Sequence, residues 1–428
     1  MSEQVTAAGN THPERLEEIN FTSQAVQNCP YPTYALMRER APVWRDSSGH
    51  FHITSYKLLR EVLRDNKNYV CSKSTEKAAL DQEKVARINQ IYAQKGWIPA
   101  PTILQLDEPQ HGVMRAQFEQ AFSPSKVKQM EPLFKEVAES LIDGFIGKGS
   151  CDWATEFALR LPLTVVLRQS GIPLQDMWRI HGWTDAWVRH HLSFMQTEEE
   201  SRQSAELEVE RQHYFQPIFE RLRKQPDGSL ISDLVNNVIP QWNRRLTDAE
   251  LHTAIGIDLL VGGIETTTNA VTEAMHVLAD NPNIWAKLKA EPAKYLQRFI
   301  EEVLRLEAPA QALYRTVAHD VELNGVNIPK GSTVILRFGA ANRDGEKFKC
   351  PDQIDLERQN AGAHMTFGSG LHHCLGATLS RAEIFWSLTT ALQRFKSVRC
   401  VPAKNDFNYV PSRSLRALKH LYIEFDRV

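Results

Sequence analysis

The sequence predicts a mainly α-helical fold with a smaller β portion, and three observations support this prediction. Several long segments carry apolar residues at the spacing of one helix face. Strand-like stretches are short and confined to two regions, and no repeat, linker or low-complexity tract divides the chain. Although 428 residues exceed the usual length of one domain, we therefore expect a single integrated domain over residues 1–428.

Composition and charge exclude several classes of protein. A net charge of -2 gives no global field for nucleic acid or for an anionic membrane, so we expect neither as a partner. The N-terminal residues are polar and include no apolar run typical of a signal peptide or a membrane anchor. The six cysteines form no CxxC pair, which favours a reducing compartment over a disulfide framework. These features indicate a cytoplasmic protein.

The main elements can be placed in order along the chain. Helices are expected over residues 126–146, 205–224, 247–280 and 375–395. Short strands are expected in two regions, 41–56 and 317–338, and the second contains an Asn324-Gly325 turn signal. Helices therefore predominate, and the two β regions are short and far apart in sequence.

The predicted helix 247–280 is the longest. Thr247 and Glu250 match a capping box at its start, and the apolar pattern ends at Asn281-Pro282. At about 1.5 Å per residue this helix would be roughly 50 Å long, which is enough to cross the molecule.

The middle of this helix breaks the usual rules of helix composition. It reads VGGIETTTN over residues 261–269, with two glycines and three threonines where a buried helix usually carries alanine and leucine. Each glycine costs about 1 kcal/mol relative to alanine in a helix interior. Glu265 also places a carboxylate in an otherwise apolar helix. We interpret this break as a functional site.

A second unusual segment, FGSGLHHCLG (residues 367–376), places Cys374 between a glycine-rich loop and a helix. Most free cysteines are buried and inert. Zinc binding by His372, His373 and Cys374 is disfavoured because adjacent ligands cannot easily surround one tetrahedral ion. A nucleophilic cysteine would gain from the helix N-terminus, but no protease-type signature accompanies it. The glycines favour a fourth interpretation, in which the backbone lies flat against a planar ligand and the sulfur is an axial haem ligand.

This loop resembles the haem-binding signature of the cytochrome P450 family. The residues that match the signature are Phe367, Gly368, Gly370, Cys374 and Gly376. Further matches, in the family's order, are Glu265 and Thr266 in GGIETTT, Glu302 and Arg305 in EEVLR, and Arg358 in CPDQIDLER. The resemblance covers essentially the whole chain. It implies the cytochrome P450 fold, with haem between the long central helix and the cysteine loop with its helix.

The resemblance also implies the cofactor and the catalytic pair. The cofactor is expected to be haem b, with the Cys374 thiolate as the iron ligand. Gly262 would help to open a groove in the long helix, where Thr266 would hydrogen-bond O₂ and Glu265 would relay protons. The alternative for Thr266 is a local hydrogen bond from its hydroxyl to the carbonyl of the residue four positions earlier.

Other residues are implied to support the haem. Four match the family's propionate-binding positions: His111, Arg115, Arg315 and His372. Arginine suits this task because its planar fork binds a carboxylate bidentately. His373 matches no family role and is interpreted as a structural residue of the loop.

A buried ion network is implied behind the loop. Glu302, Arg305 and Arg358 would form it, and we expect it to be architectural rather than catalytic. Ile354 departs mildly from the family, which usually has an aromatic residue at that position.

The implied reaction inserts one oxygen atom of O₂ into a C–H or C=C bond of a small, mostly apolar organic substrate. The sequence contains no flavin, nicotinamide or iron–sulfur motif, so NAD(P)H electrons would arrive through a separate ferredoxin or flavodoxin with its reductase. That partner would dock on the cysteine side, near Arg115 and Arg381. The alternatives are a peroxygenase or isomerase of the same fold, against which the Glu265–Thr266 pair argues, and a haem-binding protein without turnover.

The substrate pocket is indicated only by the resemblance. The pocket positions are Asp258, Val261, Gly262, Gln311 and Leu313, within or near the segments 76–102, 254–262, 311–313 and 412–415. This largely apolar set would suit a terpenoid, steroid, fatty acyl or aromatic compound. Asp258 either faces the pocket or is a solvent-facing or locally paired acid. If it faces the pocket, the substrate should carry a hydroxyl or an amine, because an unpaired buried charge is costly.

Overall fold

The computed structural model describes residues 12–72, 82–193 and 197–428 and is mainly helical, as predicted. The helices are α1 (Gln24–Asn28), α2 (Tyr31–Arg40), α3 (Tyr56–Arg64), α4 (Gln82–Lys95), α5 (Gln110–Glu119), α6 (Pro124–Phe145), α7 (Arg160–Ser170), α8 (Met177–Leu192), α9 (Glu198–Lys224), α10 (Leu230–Asn236), α11 (Asp248–Thr253), α12 (Gly262–Asp280), α13 (Pro282–Ala290), α14 (Pro292–Leu306), α15 (Phe338–Ala341) and α16 (Ala377–Arg394). None of these helices is long and apolar enough to cross a membrane.

The strands form the smaller β portion. They are β1 (Val43–Arg45), β2 (Phe51–Ile53), β3 (Tyr69–Val70), β4 (Ser150–Asp152), β5 (Ala312–Val317), β6 (Val321–Leu323), β7 (Val326–Ile328), β8 (Thr333–Arg337), β9 (Phe395–Cys400) and β10 (Tyr422–Arg427). A five-stranded sheet has the order β1-β2-β8-β5-β3, a three-stranded sheet has the order β4-β10-β9, and β6 pairs with β7. Among the strands of the described residues, only β2 and β8 run parallel, with Phe51 opposite Val334.

Both predicted β regions are confirmed. The first gives β1 and β2, and the second gives β6, β7 and β8. Asn324 (φ 52°) and Gly325 (φ 76°) both lie in the left-handed region between β6 and β7. Two such residues make the tight turn whose twist matches an antiparallel hairpin, so the turn signal was interpreted correctly.

The predicted start of one helix was wrong. The apolar pattern placed it at residue 205, whereas α9 begins at Glu198. The reason is a polar capping box. The Thr197 side chain accepts a hydrogen bond from the Glu200 amide at 3.1 Å, and the Glu200 carboxylate accepts one from the Thr197 amide at 2.8 Å. The first turns of α9 are therefore fixed by capping and not by an apolar face.

The long helix is confirmed and runs through two large hydrophobic cores. The Thr247–Glu250 capping box is present, and helical backbone continues to Asp280 through α11, a π-helical segment (Ala254–Val261) and α12. The first half packs with α7, α9 and α10, and the second half packs with α14 and α16. The middle of the helix therefore lies between the two cores.

The π-helical segment is a feature that apolar spacing does not reveal. π-Helical turns are rare and occur frequently at functional sites. Gly256 lies within this segment, and the guanidinium of Arg211 from α9 occupies the place that a Cβ on Gly256 would need. Arg211 is buried and paired with Glu208, so close packing against α9 requires glycine at position 256.

Candidate functional site

Glycines shape the loop that carries Cys374. Gly368 (φ 70°) and Gly370 (φ 75°) adopt left-handed conformations that favour glycine. A Cβ on Gly370 would lie 2.7 Å from the Leu63 carbonyl oxygen, so the loop passes directly against the end of α3. The Cys374 amide donates to the Phe367 carbonyl at 2.8 Å and closes the loop just before α16.

The environment of the Cys374 thiol suits a metal-bound thiolate. The Cys374 thiol is surrounded by protein atoms on most sides, yet the residue remains accessible to solvent. Burial raises the pKa of the thiol, and the Gly376 N–H together with the charges of Arg115 and Arg381 opposes this rise. The same N–H and guanidinium groups would stabilise a thiolate once the sulfur bound a cation. The donor set therefore fits a haem thiolate.

The irregular part of the long helix lies beside the helix that follows this loop. The Thr267 hydroxyl on α12 is 3.3 Å from the Ser380 hydroxyl on α16. Gly262 is exposed although most of its helix is buried. Among the described residues, a Cβ on Gly262 would meet only the Ile257 carbonyl, at 3.8 Å. Protein packing therefore does not require glycine here, and its lack of a side chain leaves room on the face beside the loop.

Glu265 and Thr266 adjoin this glycine. The Thr266 hydroxyl donates to the Gly262 carbonyl at 3.1 Å, which is the local hydrogen bond that was the alternative interpretation. A hydroxyl that donates its proton can still accept a hydrogen bond at its oxygen. Burial raises the pKa of Glu265 to about 7, and the charge of Asp185 on α8 adds to this effect. Oε1 of Glu265 is buried and has no hydrogen-bond partner among the described residues.

Two histidines of the predicted propionate set lie in contact. The rings of His111 and His372 have centroids 4.0 Å apart and are inclined at 44°. Nδ1 of His111 is 3.2 Å from Oε1 of Glu108. Burial, followed by the nearby His111 and Arg315, lowers the pKa of His372 to about 3. Burial therefore favours the neutral form of His372, which can donate a hydrogen bond to a haem carboxylate.

The two arginines of the set differ in their surroundings. Arg115 donates to the His373 carbonyl at 2.9 Å and to Glu119 at 3.1 Å, so its charge is partly compensated. Arg315 is 5% exposed and donates to the Tyr314 carbonyl at 2.8 Å. No carboxylate among the described residues forms an ion pair with Arg315. A buried guanidinium without an acid fits an anionic group supplied by a cofactor.

The three members of the predicted ion network lie in contact. The Glu302 carboxylate accepts from Arg305 at 2.7 and 3.0 Å and is 2.9 Å from Nε of Arg358. The side chains of Glu302 and Arg305 are fully buried. Both guanidiniums also donate to backbone carbonyls of the segment that leads to the cysteine loop; these belong to Lys349, Cys350, Pro351 and Gln353.

Asp258 is held by a backbone amide. Its two carboxylate oxygens accept from the Ile103 N–H at 3.1 and 3.2 Å. Burial raises the pKa of Asp258 to about 8, against the lowering effect of this hydrogen bond. The partner is a backbone amide from a segment 155 positions earlier in the chain. A protonated Asp258 also carries an O–H that can donate.

The other predicted pocket residues are spread over several elements. Val261 is buried in the long helix, and Leu313 on β5 is half-buried opposite Leu336 of β8. Gln311 is buried and donates to the Ala308 carbonyl at 2.7 Å, while its Oε1 has no partner among the described residues.

One predicted pocket segment can be compared with the structure only in part, whereas two others meet. The Gln311 amide donates to the Ser414 carbonyl at 2.6 Å, so segments 311–313 and 412–415 meet. Residues 76–81 of segment 76–102 lie outside the described residues.

Sequence reasoning missed several residues around the site. Ile103 donates a hydrogen bond to Asp258, and the charge of Asp185 raises the pKa of Glu265. Asp107 accepts hydrogen bonds from the amides of Cys71 and Ser72 at 2.8 and 2.9 Å. Sγ of Cys71 is 3.3 Å from Nε2 of His372. The DEP sequence before α5 is the one local signal that could have pointed to Asp107.

The expected contribution of Arg381 to a docking face needs revision. Its guanidinium donates to Glu301 at 2.7 and 3.0 Å and lies over the Phe367 ring at 4.4 Å. With its charge compensated and its side chain 28% exposed, Arg381 contributes little free positive charge. Lys126 and Lys128, at the start of α6, are both exposed, and Val127 between them packs near Leu379 of α16.

Comparison with known proteins adds independent information. A family model described as cytochrome P450 matches residues 174–408, which include both irregular segments. Cytochrome P450 107B1 of Saccharopolyspora erythraea is 31% identical over 395 residues, covering 91% of this chain and 93% of the relative. Cytochrome P450 monooxygenase PikC of Streptomyces venezuelae is 28% identical and covers 99% of this chain and 97% of its own. The crystal structure of the Tepidiphilus thermophilus P450 heme domain superposes with a TM-score of 0.86 at 25% identity, over 96% of this chain and 97% of that one.

Proposed function

The chain belongs to the cytochrome P450 family and is a P450 monooxygenase, and on that premise we propose that it inserts one oxygen atom of O₂ into a small, mostly apolar organic substrate. One observation carries the proposal. The exposed Cys374 residue, with the Gly376 N–H directed at its sulfur, belongs to a loop whose helix α16 contacts the irregular 261–269 segment of the long helix through Ser380 and Thr267. A sulfur ligand on one side and a glycine-lined face on the other suit a flat cofactor.

The haem would supply O₂ binding, O–O cleavage and oxygen transfer, with electron donation from a thiolate ligand. Cys374 would hold the iron. Arg115 and Arg315 would neutralise the propionates, and His111 and His372 would add hydrogen-bond donors. Arg315 supports this assignment most strongly because it is buried without an acidic partner among the described residues.

The chain's own contribution to the reaction is the delivery of protons. A carboxyl group whose pKa lies near 7 is populated in both protonation states at physiological pH, so Glu265 can receive a proton from solvent and pass it on. The Thr266 hydroxyl, which donates to the Gly262 carbonyl, can accept a hydrogen bond on the haem side and so order the proton path.

The test of this assignment is the coupling of electrons to product. In the Thr266→Ala variant we expect haem incorporation and substrate binding near those of the parent, with more hydrogen peroxide and less product per reductant oxidised. Thr268→Ala is a matched control because the Thr268 hydroxyl makes the same local hydrogen bond, to Ile264 at 2.8 Å. Unchanged coupling in Thr266→Ala, or an equal loss in both variants, would overturn the role of Thr266.

The local hydrogen bond of Thr266 also favours a second candidate function. If this hydroxyl serves only its helix, the chain would act as a peroxygenase that takes hydrogen peroxide directly, or as a haem-binding protein without turnover. Product formation from hydrogen peroxide at a rate matching that of the reductant-driven reaction would favour the peroxygenase. Spin-state changes on substrate binding without consumption of reductant would favour a binding protein.

For the substrate, we propose an apolar compound with one hydroxyl or amine that meets Asp258. The raised pKa makes Asp258 mostly neutral at pH 7, so its O–H can donate to the substrate while the other oxygen keeps the Ile103 amide. A screen of matched pairs of hydrocarbon and hydroxylated analogues, followed by the spin-state change of the haem, tests this. Equal affinity for both members of each pair would contradict it.

For electron supply, we propose a separate ferredoxin or flavodoxin, reduced by NAD(P)H through its reductase, that docks near Arg115, Lys126 and Lys128. The exposed lysines support attraction of an acidic partner. The rate of the first electron transfer should fall as the salt concentration rises. At low salt, the rate should be lower in Lys126→Glu than in the parent. Lys224→Glu, an exposed residue at the end of α9, is the control. Salt-independent transfer would argue against this docking face.

A further inference from the structure

The last turn of the long helix presents a histidine and a carboxylate on one face. His276 and Asp280 are four residues apart, and Nε2 of His276 is 3.3 Å from Oδ2 of Asp280. Cys400, the final residue of β9, contributes a thiol at the same place, and the three ligand atoms lie within 4.8 Å of one another. His276 and Cys400 are partly exposed and Asp280 is exposed, so an ion can reach all three from solvent.

The separation of these atoms suits a tetrahedral metal. Zinc binds imidazole nitrogen and carboxylate oxygen at about 2.0–2.2 Å, so a tetrahedral angle places these two ligand atoms about 3.4 Å apart. The observed distance between Nε2 of His276 and Oδ2 of Asp280 is 3.3 Å. A thiolate at about 2.3 Å from the same ion would lie about 3.6 Å from each of them. In the structure all three ligand atoms lie within 4.8 Å of one another, so a small rotation of the Cys400 side chain would bring Sγ to this distance.

A buried acid orients the histidine. Glu273 is 2% exposed, and its Oε2 lies 3.4 Å from Nδ1 of His276, on the ring edge opposite Asp280. The Tyr409 hydroxyl and the charge of Arg416 also act on this carboxylate and favour its ionised form. A carboxylate on one nitrogen holds a proton there, as in carboxylate–histidine–metal sites, and the ion would replace the proton that Asp280 favours on the other nitrogen. The Phe407 ring, stacked at 4.9 Å and 11°, fixes the plane of the imidazole.

The local electrostatics also favour a cation. Asp280 is the last residue of α12, where the helix dipole makes a carboxylate unfavourable. Among the described residues, His276 is the only ion-pair partner of Asp280. A divalent ion would compensate Asp280 and the end of the helix together.

We propose that His276, Asp280 and Cys400 bind Zn²⁺ or a similar borderline divalent transition-metal ion. Nε2, a carboxylate oxygen and Sγ would be the three protein ligands, with solvent in the fourth position. The thiol would release its proton to solvent as it binds, and no electron transfer is involved. Thiolate and imidazole ligands disfavour Mg²⁺ and Ca²⁺, which prefer oxygen ligands.

The proposed ion would brace the end of the long helix against β9. At about 1.5 Å per residue, His276 lies about 15 Å along the helix from Thr266, so the ion is separate from the haem iron. The site therefore predicts a structural effect on the protein and none on the chemistry of oxygen transfer.

Zinc binding to the haem-loaded, untagged full-length protein tests the proposal. The protein must be loaded with haem because the haem would occupy Cys374 and cover His372, so that neither residue can bind the added zinc. After treatment with a chelator, the parent should take up one Zn²⁺ per chain in competition with a chromophoric chelator. His276→Gln and Cys400→Ser should each weaken binding at least tenfold, and Glu273→Gln should weaken it less. His420→Gln is the matched control, because His420 also contacts a carboxylate, that of Asp152 at 2.6 Å, but belongs to no three-ligand cluster among the described residues.

Two further measurements separate a metal site from a simple ion pair. Co²⁺ should give the parent a thiolate-to-metal charge-transfer band that Cys400→Ser lacks and Cys29→Ser keeps. Zn²⁺ should also protect Cys400 of the parent from alkylation, as read by mass spectrometry, and this result does not depend on whether a variant folds. Absence of Zn²⁺ uptake by the parent, or uptake unchanged in both ligand variants, would overturn the proposal. An unprotected Cys400 would leave His276 and Asp280 as an ion pair alone.

Discussion

Replacing Glu302 by glutamine removes the one carboxylate that, in the described part of the chain, pairs with the two buried guanidinium groups of Arg305 and Arg358. The parent carboxylate makes four contacts: two with Arg305, one with Arg358 and one with the Asp355 amide at 2.8 Å. Every one of these partners is a donor. Glutamine keeps one acceptor oxygen, and its NH₂ group must face donors. The variant therefore loses contacts and leaves two positive charges buried.

The expected cost follows from burial. Breaking a buried ion pair by removing one partner typically costs about 3–5 kcal/mol, because the remaining charge is neither solvated nor paired. Exposed pairs are typically worth only about 0.2–1 kcal/mol. Arg298 and Glu357 form such a pair at 2.7 Å, with side chains 38% and 55% exposed. Glu357→Gln is therefore a matched control, with the same chemical change at an exposed ion pair.

Denaturant unfolding of the haem-loaded variants, followed by circular dichroism and by the Soret band, measures both effects. We expect Glu302→Gln to lose several kcal/mol and to release haem before global unfolding, because Arg305 and Arg358 anchor the segment before the cysteine loop. Glu357→Gln should stay within about 1 kcal/mol of the parent and keep its haem. Similar unfolding midpoints and haem retention in both variants would refute an architectural role for this network.

Three more outcomes are expected. Cys374→Ser should abolish the long-wavelength Soret band of the reduced carbon-monoxide complex, and a retained band would contradict the thiolate ligand. Glu265→Gln should slow turnover. In a pH–rate profile, turnover of the parent should decline above pH 7 because the protonated fraction of Glu265 falls, and the variant should not show this decline. The pKa of Asp258 is raised from 3.8 to about 8, so the parent should lose stability between about pH 4 and pH 8, because this carboxyl ionises in the unfolded chain while the folded protein keeps it protonated. Asp258→Asn keeps an acceptor for Ile103 and should show a flatter dependence of unfolding free energy on pH; parallel curves would show that Asp258 ionises freely.

The parts of the fold that sequence predicted well are those governed by local rules. The long helix is marked at its start by Thr247 and Glu250, and the hairpin of β6 and β7 is marked by Asn324 and Gly325. Capping boxes and tight turns depend on residues within a few positions of one another, so a single sequence contains them. The start of α9 was missed although it is also a local capping box, because apolar spacing was given precedence over Thr197.

Features that depend on distant contacts could not be predicted in this way. The hydrogen bond between Asp258 and Ile103 joins residues 155 positions apart, and the Arg381–Glu301 pair spans 80. Neither partner is marked by its neighbours in sequence. The propionate residues could be assigned from motif spacing, but the isolation of the Arg315 charge is visible only once β5 and its surroundings are folded.

The charges around the proposed haem site have a consequence for how the cofactor is held. Burial lowers the pKa of His372 to about 3 and so disfavours its charged form, which leaves the two arginines as the permanent charges of the propionate set. Arg115 already forms an ion pair with Glu119, and its side chain is 21% exposed. The carboxylate and the solvent both weaken the attraction of Arg115 for a propionate. Arg315 is buried and has no acid within ion-pair distance among the described residues, so its desolvation is offset only when an anion binds. The affinity of this chain for haem should therefore depend more on Arg315 than on Arg115, although the sequence motifs present them as equivalent.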